Sequence, residues 1–222
     1  MKFIFVLILF TICSCDVTSN QQENKKENKL EKASLEKETY ELIKVIKNCA
    51  NEGISSFNME FLKSSDKNLP NSIVNQYLMN VPIDNEKDLK LTIDEWTKYS
   101  CMQWEENKEN FFFTLLQEDD TCCSIMYLVV LDKKEDLFQI RTLGISGGDG
   151  GWHQNDKGIK LDFGKFKLIT ESTLDTDIFE KDVSNSYLRI KEYGEFQLNF
   201  ENNKFTLDTL VFKKDSIIKK SN

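Results

Sequence analysis

The chain has few of the residues on which most catalytic sites depend. Its 222 residues include a single histidine, His153, and only two prolines. One histidine excludes a histidine-rich zinc site, and any Ser-His-Asp or Cys-His catalytic set would have to use His153. The sequence also lacks a nucleophile elbow, a P-loop and a G-x-G-x-x-G pattern. We therefore predict no metal ion, no cofactor and no catalytic residues.

Positive charge is also scarce. The formal net charge is -8, the isoelectric point is near 4.9, and Arg141 and Arg189 are the only arginines. Binding to a phosphate backbone depends on clustered lysine and arginine. The composition therefore argues against nucleic acid as a partner.

A long hydrophobic run is missing as well. The apolar stretch Phe3 to Ile12, which follows Lys2, is shorter than the roughly 20 residues that span a hydrocarbon core. Its length and its preceding positive charge are typical of a secretory signal segment. No A-x-A-like cleavage site precedes Asp16, so ordinary secretion is the less favoured of two interpretations.

The stretch Ile12-Cys13-Ser14-Cys15 resembles the lipobox of bacterial prolipoproteins. In that family an apolar residue lies three positions before the modified cysteine and a small residue lies directly before it. Cys13 does not fit, because Ile12 is too large for the position before it. The resemblance implies that residues 1–14 are a signal peptide, and that Cys15 is lipidated and anchors the protein to a membrane of the cell envelope. It leaves open whether that membrane is the inner or the outer one.

Residues 15–29 follow as a lipidated cysteine and a polar spacer. The stretch from Asp16 to Lys29 contains one apolar residue, Val17, among many Asn, Gln, Lys and Glu residues. Such a segment buries too little surface to offset its ordering entropy. We predict a disordered tether here and a single globular domain over residues 30–222.

Four cysteines remain once Cys13 and Cys15 are set aside, namely Cys49, Cys101, Cys122 and Cys123. In an oxidising envelope they can pair, and no C-x-x-C spacing indicates a metal ribbon. Adjacent residues of a strand point to opposite faces, so a bond between Cys122 and Cys123 is not expected. The pairing stays open, and buried reduced cysteines are an equal alternative.

Apolar periodicity predicts helices before Trp96 and strands after it. The predicted helices are Leu30 to Ala50, a short one from Ser55 to Leu62, and Asn71 to Met79. The predicted strands are Thr97 to Trp104, Asn110 to Gln117, Cys122 to Leu131, Asp136 to Ile145, Gly158 to Ile169, Tyr187 to Phe200 and Lys204 to Phe212. We expect an α+β fold, with N-terminal helices packed on a predominantly antiparallel β-meander that forms a curved sheet, partial barrel or sandwich. The third strand is apolar on both faces and should lie centrally.

The glycine-rich stretch Gly147 to Gly158 is the candidate binding loop. Its chemistry-bearing residues are Asp149, Trp152, His153 and Asp156. An exposed aromatic on such a loop can stack on a sugar or hold a partner side chain. The alternative is that Trp152 folds back and covers the sheet.

The sequence favours a membrane-anchored envelope lipoprotein whose domain has a non-catalytic binding or structural role, with a protein or glycan partner. The alternative is an envelope hydrolase that uses His153 or an aspartate pair, either Asp119 with Asp120 or Asp175 with Asp177.

Overall fold

One ten-stranded β-sheet dominates the computed structural model, which describes residues 39–62, 68–119, 122–177 and 186–220. The helical elements are α1 (described over residues 39–49), a 3-10 turn at Met59–Phe61 and α2 (Asn71–Tyr77). The strands are β1 (Asn51–Glu52), β2 (Phe57–Asn58), β3 (Thr97–Glu106), β4 (Asn110–Asp119), β5 (Cys123–Asp132), β6 (Leu137–Gly147), β7 (Trp152–Asp162), β8 (Lys165–Asp177), β9 (Ser186–Glu201) and β10 (Lys204–Lys220).

The strands from β3 to β10 form a meander in which each is antiparallel to the next. The short strand β1 runs parallel to β3, and β2 pairs with β7. Asn202 and Asn203 join β9 to β10 with φ of 51° and 56°. Asparagine tolerates this left-handed conformation, which a two-residue hairpin turn requires. The predicted turn is confirmed.

The predicted α+β class is wrong, because the chain is mostly β. The segment predicted as a helix from Ser55 to Leu62 instead forms β2 and a single 3-10 turn. The stretch predicted as one strand, Gly158 to Ile169, contains the end of β7, a turn at Gly164 and the start of β8. β10 also continues eight residues beyond Phe212, because charged and apolar residues in this stretch fit an exposed strand.

Two separate hydrophobic cores lie on the two faces of β4 and β5. On one face, side chains of β3 to β6 meet apolar residues of the segment that precedes β3, including Leu42, Ile46 and Val74. On the other face, Phe112 and Leu128 belong to a second cluster with residues of β8 and β9. Strands β4 and β5 are therefore covered on both sides, as their two apolar faces predict.

The second core forms because the sheet bends between β6 and β7. These strands share only two residue pairs, Ser146 with Asn155 and Gly147 with Gln154. The first half of β8 and the second half of β9 then lie over β4 and β5. The remaining halves of β8 and β9, with most of β10, continue beyond this core.

The segment that holds β1 and β2 links the two parts of the bent sheet. It pairs first with β3 and then with β7, where Phe57 lies opposite Gly158. A Cβ atom added at Gly158 would be 2.0 Å from the Phe57 ring. Lys160 of β7 also forms an ion pair with Glu105 of β3.

All four remaining cysteines are paired in the structure. Cys49 at the end of α1 bonds to Cys101 of β3, with 5.8 Å between their Cα atoms. Cys122 bonds to Cys123, contrary to our expectation. That expectation placed both residues in a strand, whereas β5 begins at Cys123 and Cys122 lies in the bend before it.

Cys15, the signal segment and the tether lie outside the described residues. Within the part of the chain that the structure describes, no helix combines the length and apolarity needed to span a bilayer.

Candidate functional site

The glycine-rich stretch is a tight turn followed by a strand, not a long loop. β6 ends at Gly147 and β7 begins at Trp152, so only Gly148 to Gly151 connect them. The backbone N–H of Trp152 donates to the carbonyl of Asp149 at 3.0 Å. Gly150 and Gly151 have φ of 57° and 87°, values that favour glycine. The predicted loop from Gly147 to Gly158 is therefore wrong in extent.

The four candidate residues of this stretch do not converge on one site. Asp149 is exposed in the turn, and Trp152 is half-buried opposite Leu174. His153 is exposed on the other face of β7, because neighbouring residues of a strand alternate between faces. Asp156 shares the face of Trp152 and is buried. Their role in binding stays a prediction.

Asp156 is held by neighbours on both sides of the bend. It accepts hydrogen bonds from the Ile145 backbone N–H at 2.9 Å and from the Gln154 amide at 3.0 Å. Burial nevertheless raises the pKa of its carboxyl, since desolvation penalises the charged form more than these bonds favour it. Asp156 therefore contributes to the junction of β6 and β7 rather than to an open surface.

A groove of about 500 Å³ lies on the outer face of β7 to β10, which is the face turned away from the second core. We call it the outer-face groove; its lining residues are Glu60, His153, Asn155, Glu171, Ser172, Thr173, Lys191, Glu192, Tyr193, Lys213 and Asp215. The strand registers align most of them in two rows across four strands. One row is His153, Thr173, Lys191 and Asp215, and the next is Asn155, Glu171, Tyr193 and Lys213.

Charges of both signs line the outer-face groove. The carboxylates of Glu60, Glu171 and Asp215 and the ammonium groups of Lys191 and Lys213 are among them. Among the described residues, Lys191, Lys213 and Asp215 form no salt bridge within the chain. Glu171 has only a long contact to Lys157, at 3.8 Å. The groove thus presents charged groups that form no salt bridge among the described residues, although Lys191 lies opposite Asp215 and Lys213 is near enough to Glu195 to lower its pKa.

Tyr193 lies centrally on the groove floor and is held in place. Its hydroxyl donates to Glu195, and this bond raises the pKa of Tyr193. Glu195 also forms an ion pair with Lys167 at 2.7 Å. Lys167 makes the largest contribution to lowering the pKa of Glu195, and the hydrogen bond from Tyr193 makes the next. The Tyr193 ring is therefore a fixed aromatic group among charged side chains.

The residues of the hydrolase alternative are not assembled into a catalytic set within the described part. His153 makes no side-chain hydrogen bond there to a carboxylate that would orient it or to a hydroxyl that it would activate. Asp175 accepts two bonds from Arg189, at 2.6 and 2.5 Å. Asp120 and the side chain of Asp177 lie outside the described residues. In the same described ranges no cluster of three or more His, Cys, Asp or Glu residues is placed to hold a metal ion.

The sequence pattern singles out His153 as a candidate binding residue, but it does not indicate the residues that surround His153 in the groove. Glu171, Lys191, Tyr193 and Lys213 come from three different strands. The alternation of polar residues along these strands indicates one solvent-facing side. The register that aligns them cannot be read from a single sequence, because it depends on the turns and on the bend.

Comparison of the chain with protein-family models, with curated proteins and with solved structures gave no match.

Proposed function

We propose that the chain is a lipid-anchored envelope protein whose β domain binds a polar partner, a protein segment or a glycan, in the outer-face groove. The resemblance of Ile12 to Cys15 to a lipobox supports the location. The observation that carries the binding role is the pair of aligned rows across β7 to β10, with charges of both signs around Tyr193 that form no salt bridge among the described residues.

The outer-face groove is pre-organised for binding. Side chains on paired strands have fixed spacing, so little further ordering is needed when a ligand engages them. Lys191, Lys213 and Asp215 can each form a charge-assisted hydrogen bond with a ligand without breaking a salt bridge among the described residues. A flat aromatic ring beside them favours an apolar side chain or a sugar face. The expected ligand therefore carries polar groups of both signs.

Peptide and glycan arrays probed with the labelled protein test the binding role. Lys191→Glu and Tyr193→Ala should each abolish binding to the array members that the unaltered protein recognises. Lys134→Glu, on the exposed β5–β6 turn, is the matched control and should change nothing. Array members that bind the groove variants and the unaltered protein equally well would contradict the proposal.

Fractionation of the producing cells tests the anchor separately. Cys15→Ala should leave the protein in the soluble fraction or as an uncleaved precursor, because several acyl chains are needed for stable anchoring. Cys13→Ala is the control and should stay with the membrane. An unmodified Cys15 in mature, membrane-bound protein, shown by mass spectrometry, would contradict the anchor.

A further inference from the structure

Strand β10 has a long free edge. It is the last strand of the sheet, and its 17 residues pair only with β9 in the described part of the chain. Five of its apolar side chains are exposed, namely Leu207 at 42%, Leu210 at 50%, Phe212 at 58%, Ile217 at 49% and Ile218 at 65%. A long edge strand with exposed apolar residues is a template for pairing with another chain.

We propose that this edge pairs with β10 of a second copy of the chain. The two strands would run antiparallel about a two-fold axis centred on Lys214, so that two sheets join into one. Such an interface is isologous, because the same strand contributes both sides. The proposal does not depend on the lipid anchor, but it engages Lys213 and Asp215, which also line the outer-face groove.

The strand register decides which residues share a face of β10. Phe212 lies opposite Gly194 of β9. Gly194 is on the same face of β9 as Leu198, which is buried in the second core, so Phe212 points to the inner side of the sheet. Val211, Lys213, Asp215 and Ile217 therefore form the outer side. Leu210 is the extra residue of a bulge, and the outer side alternates regularly after it.

A two-fold axis at Lys214 places the outer-side residues of β10 opposite outer-side residues of the second copy. Lys213 then faces Asp215 of the second copy, and Val211 faces Ile217 of the second copy. The symmetry repeats each pair, which gives two ion pairs and two apolar pairs. Opposite charges and apolar pairs directly across two strands are stabilising.

Neighbouring registers are unfavourable. If the axis lay between two neighbouring residues, each inner-side residue of one copy would face an outer-side residue of the other. Centring it on Lys213 would place that lysine against its own copy and Val211 against Asp215. Centring it on Asp215 would place two aspartates together and Lys213 against Ile217. Like charges directly opposite each other are destabilising.

The charges at the centre agree with this arrangement. Lys214 would meet its own copy on the inner side, but each Lys214 is already paired with Glu192 of its own chain at 2.6 Å. Lys213 and Asp215, by contrast, form no salt bridge among the described residues. Lys213 is near enough to Glu195 to lower its pKa, and Asp215 lies opposite Lys191, but neither is held in a salt bridge among the described residues. Each can therefore form an ion pair with a second copy, and the two outer-face grooves would meet at the axis.

Sedimentation velocity of the full chain in detergent, over a range of concentrations, tests the proposal. The unaltered protein should form a dimer. Lys213→Asp and Asp215→Lys should each weaken the dimer by about tenfold or more, because each variant places two like-charged pairs across the axis. An equimolar mixture of the two variants should recover the dimer, since every pair then joins opposite charges.

Lys204→Asp is the matched control, because residue 204 lies at the far end of the same strand, away from the axis, and its register position falls beyond the end of β10 at Lys220; its reversal should leave the dimer unchanged. Circular dichroism of each variant shows whether it is folded, and the recovery in the mixture excludes misfolding as the cause of a loss. A protein that stays monomeric at all concentrations would overturn the proposal. So would a dimer that both single variants leave intact, or a mixture that stays monomeric.

Discussion

At the scale of single residues, Asp156 and Gly158 show how the bend between β6 and β7 constrains the sequence. Both residues lie on β7, on the side that faces β2 and the 3-10 turn. Asp156 accepts bonds from Ile145 and Gln154, while Gly158 leaves room for the ring of Phe57. The stretch that looks like a flexible loop in sequence is thus a packed strand, and its small and polar residues have structural reasons.

Asp156 should make the stability of the domain depend on pH. Burial raises its pKa in the folded state, whereas the unfolded value is about 3.9. The folded protein therefore binds this proton more tightly, and the contribution of Asp156 to the free energy of unfolding falls as the pH rises from the unfolded to the folded pKa. Urea unfolding of the unaltered protein and of Asp156→Asn, over a pH series, measures this contribution as the difference between them.

That difference should fall with rising pH through this window and be constant above it. Asp149→Asn serves as the control, because Asp149 is exposed in the turn before β7. A difference that rises with pH would mean that the hydrogen bonds from Ile145 and Gln154 outweigh desolvation.

Gly158→Ala should destabilise the domain by about 1–3 kcal/mol, the usual effect of overpacking. Its added methyl would lie 2.0 Å from the Phe57 ring, so the ring or β2 must move. The unfolding midpoint in urea measures the loss. Combining it with Phe57→Ala, which removes the ring, should make the effect of Gly158→Ala much smaller; equal effects in both backgrounds would contradict this contact.

At the scale of elements, β5 is the most constrained strand. Tyr127, Leu128, Val129, Val130 and Leu131 are all buried, because one face meets the first core and the other meets the second. Within this stretch a charge would have neither solvent nor a partner on either face. The flanking hairpin turn between β5 and β6, in contrast, is open to solvent.

Val129→Asp should prevent folding. The carboxylate would lie in the first core without a partner, at a cost of several kcal/mol, which is a large part of the stability of a domain. Circular dichroism and limited proteolysis detect the loss. Leu137→Asp places the same charge at an exposed apolar position of the neighbouring strand and should leave the protein folded, so a folded Val129→Asp variant would contradict the buried position of β5.

Strands could be predicted from sequence where burial gives them a plain pattern. The predicted starts of β3 and β4 agree with the structure, and β5 starts one residue later than predicted. The first half of β7 was missed because most of its residues are polar and it is flanked by glycine, a composition that also favours loops. Glu171, Lys191 and Lys213 could not be assembled into a groove, because the register across β7 to β10 depends on distant pairings.

At the scale of the whole molecule, the link between the two parts of the bent sheet determines whether the second core can close. The segment of β1 and β2 provides backbone pairing on both sides. Ser55 and Gln103 add a hydrogen bond to β3 at 3.1 Å, and Ser56 accepts one from the backbone of Lys160 at 3.0 Å. Next to these bonds lies the ion pair between Lys160 and Glu105, which joins β7 directly to β3.

The net attraction within this ion pair should stabilise the domain little. Removing one partner should destabilise it strongly, because the other charge would stay buried and unpaired. The Glu105 side chain is 13% exposed and that of Lys160 is 20% exposed, and one carboxylate oxygen of Glu105 accepts no hydrogen bond among the described residues. Lys160→Met should therefore destabilise the domain by about 3 kcal/mol, because it leaves Glu105 charged and largely buried.

The double variant Lys160→Met with Glu105→Leu should recover most of this loss, since an apolar pair of similar volume needs no desolvation of charge. Urea unfolding of the two single variants, the double variant and the unaltered protein gives the coupling energy directly. Additive losses would show that the two side chains act independently, and that this ion pair does not help to hold the two parts of the sheet together.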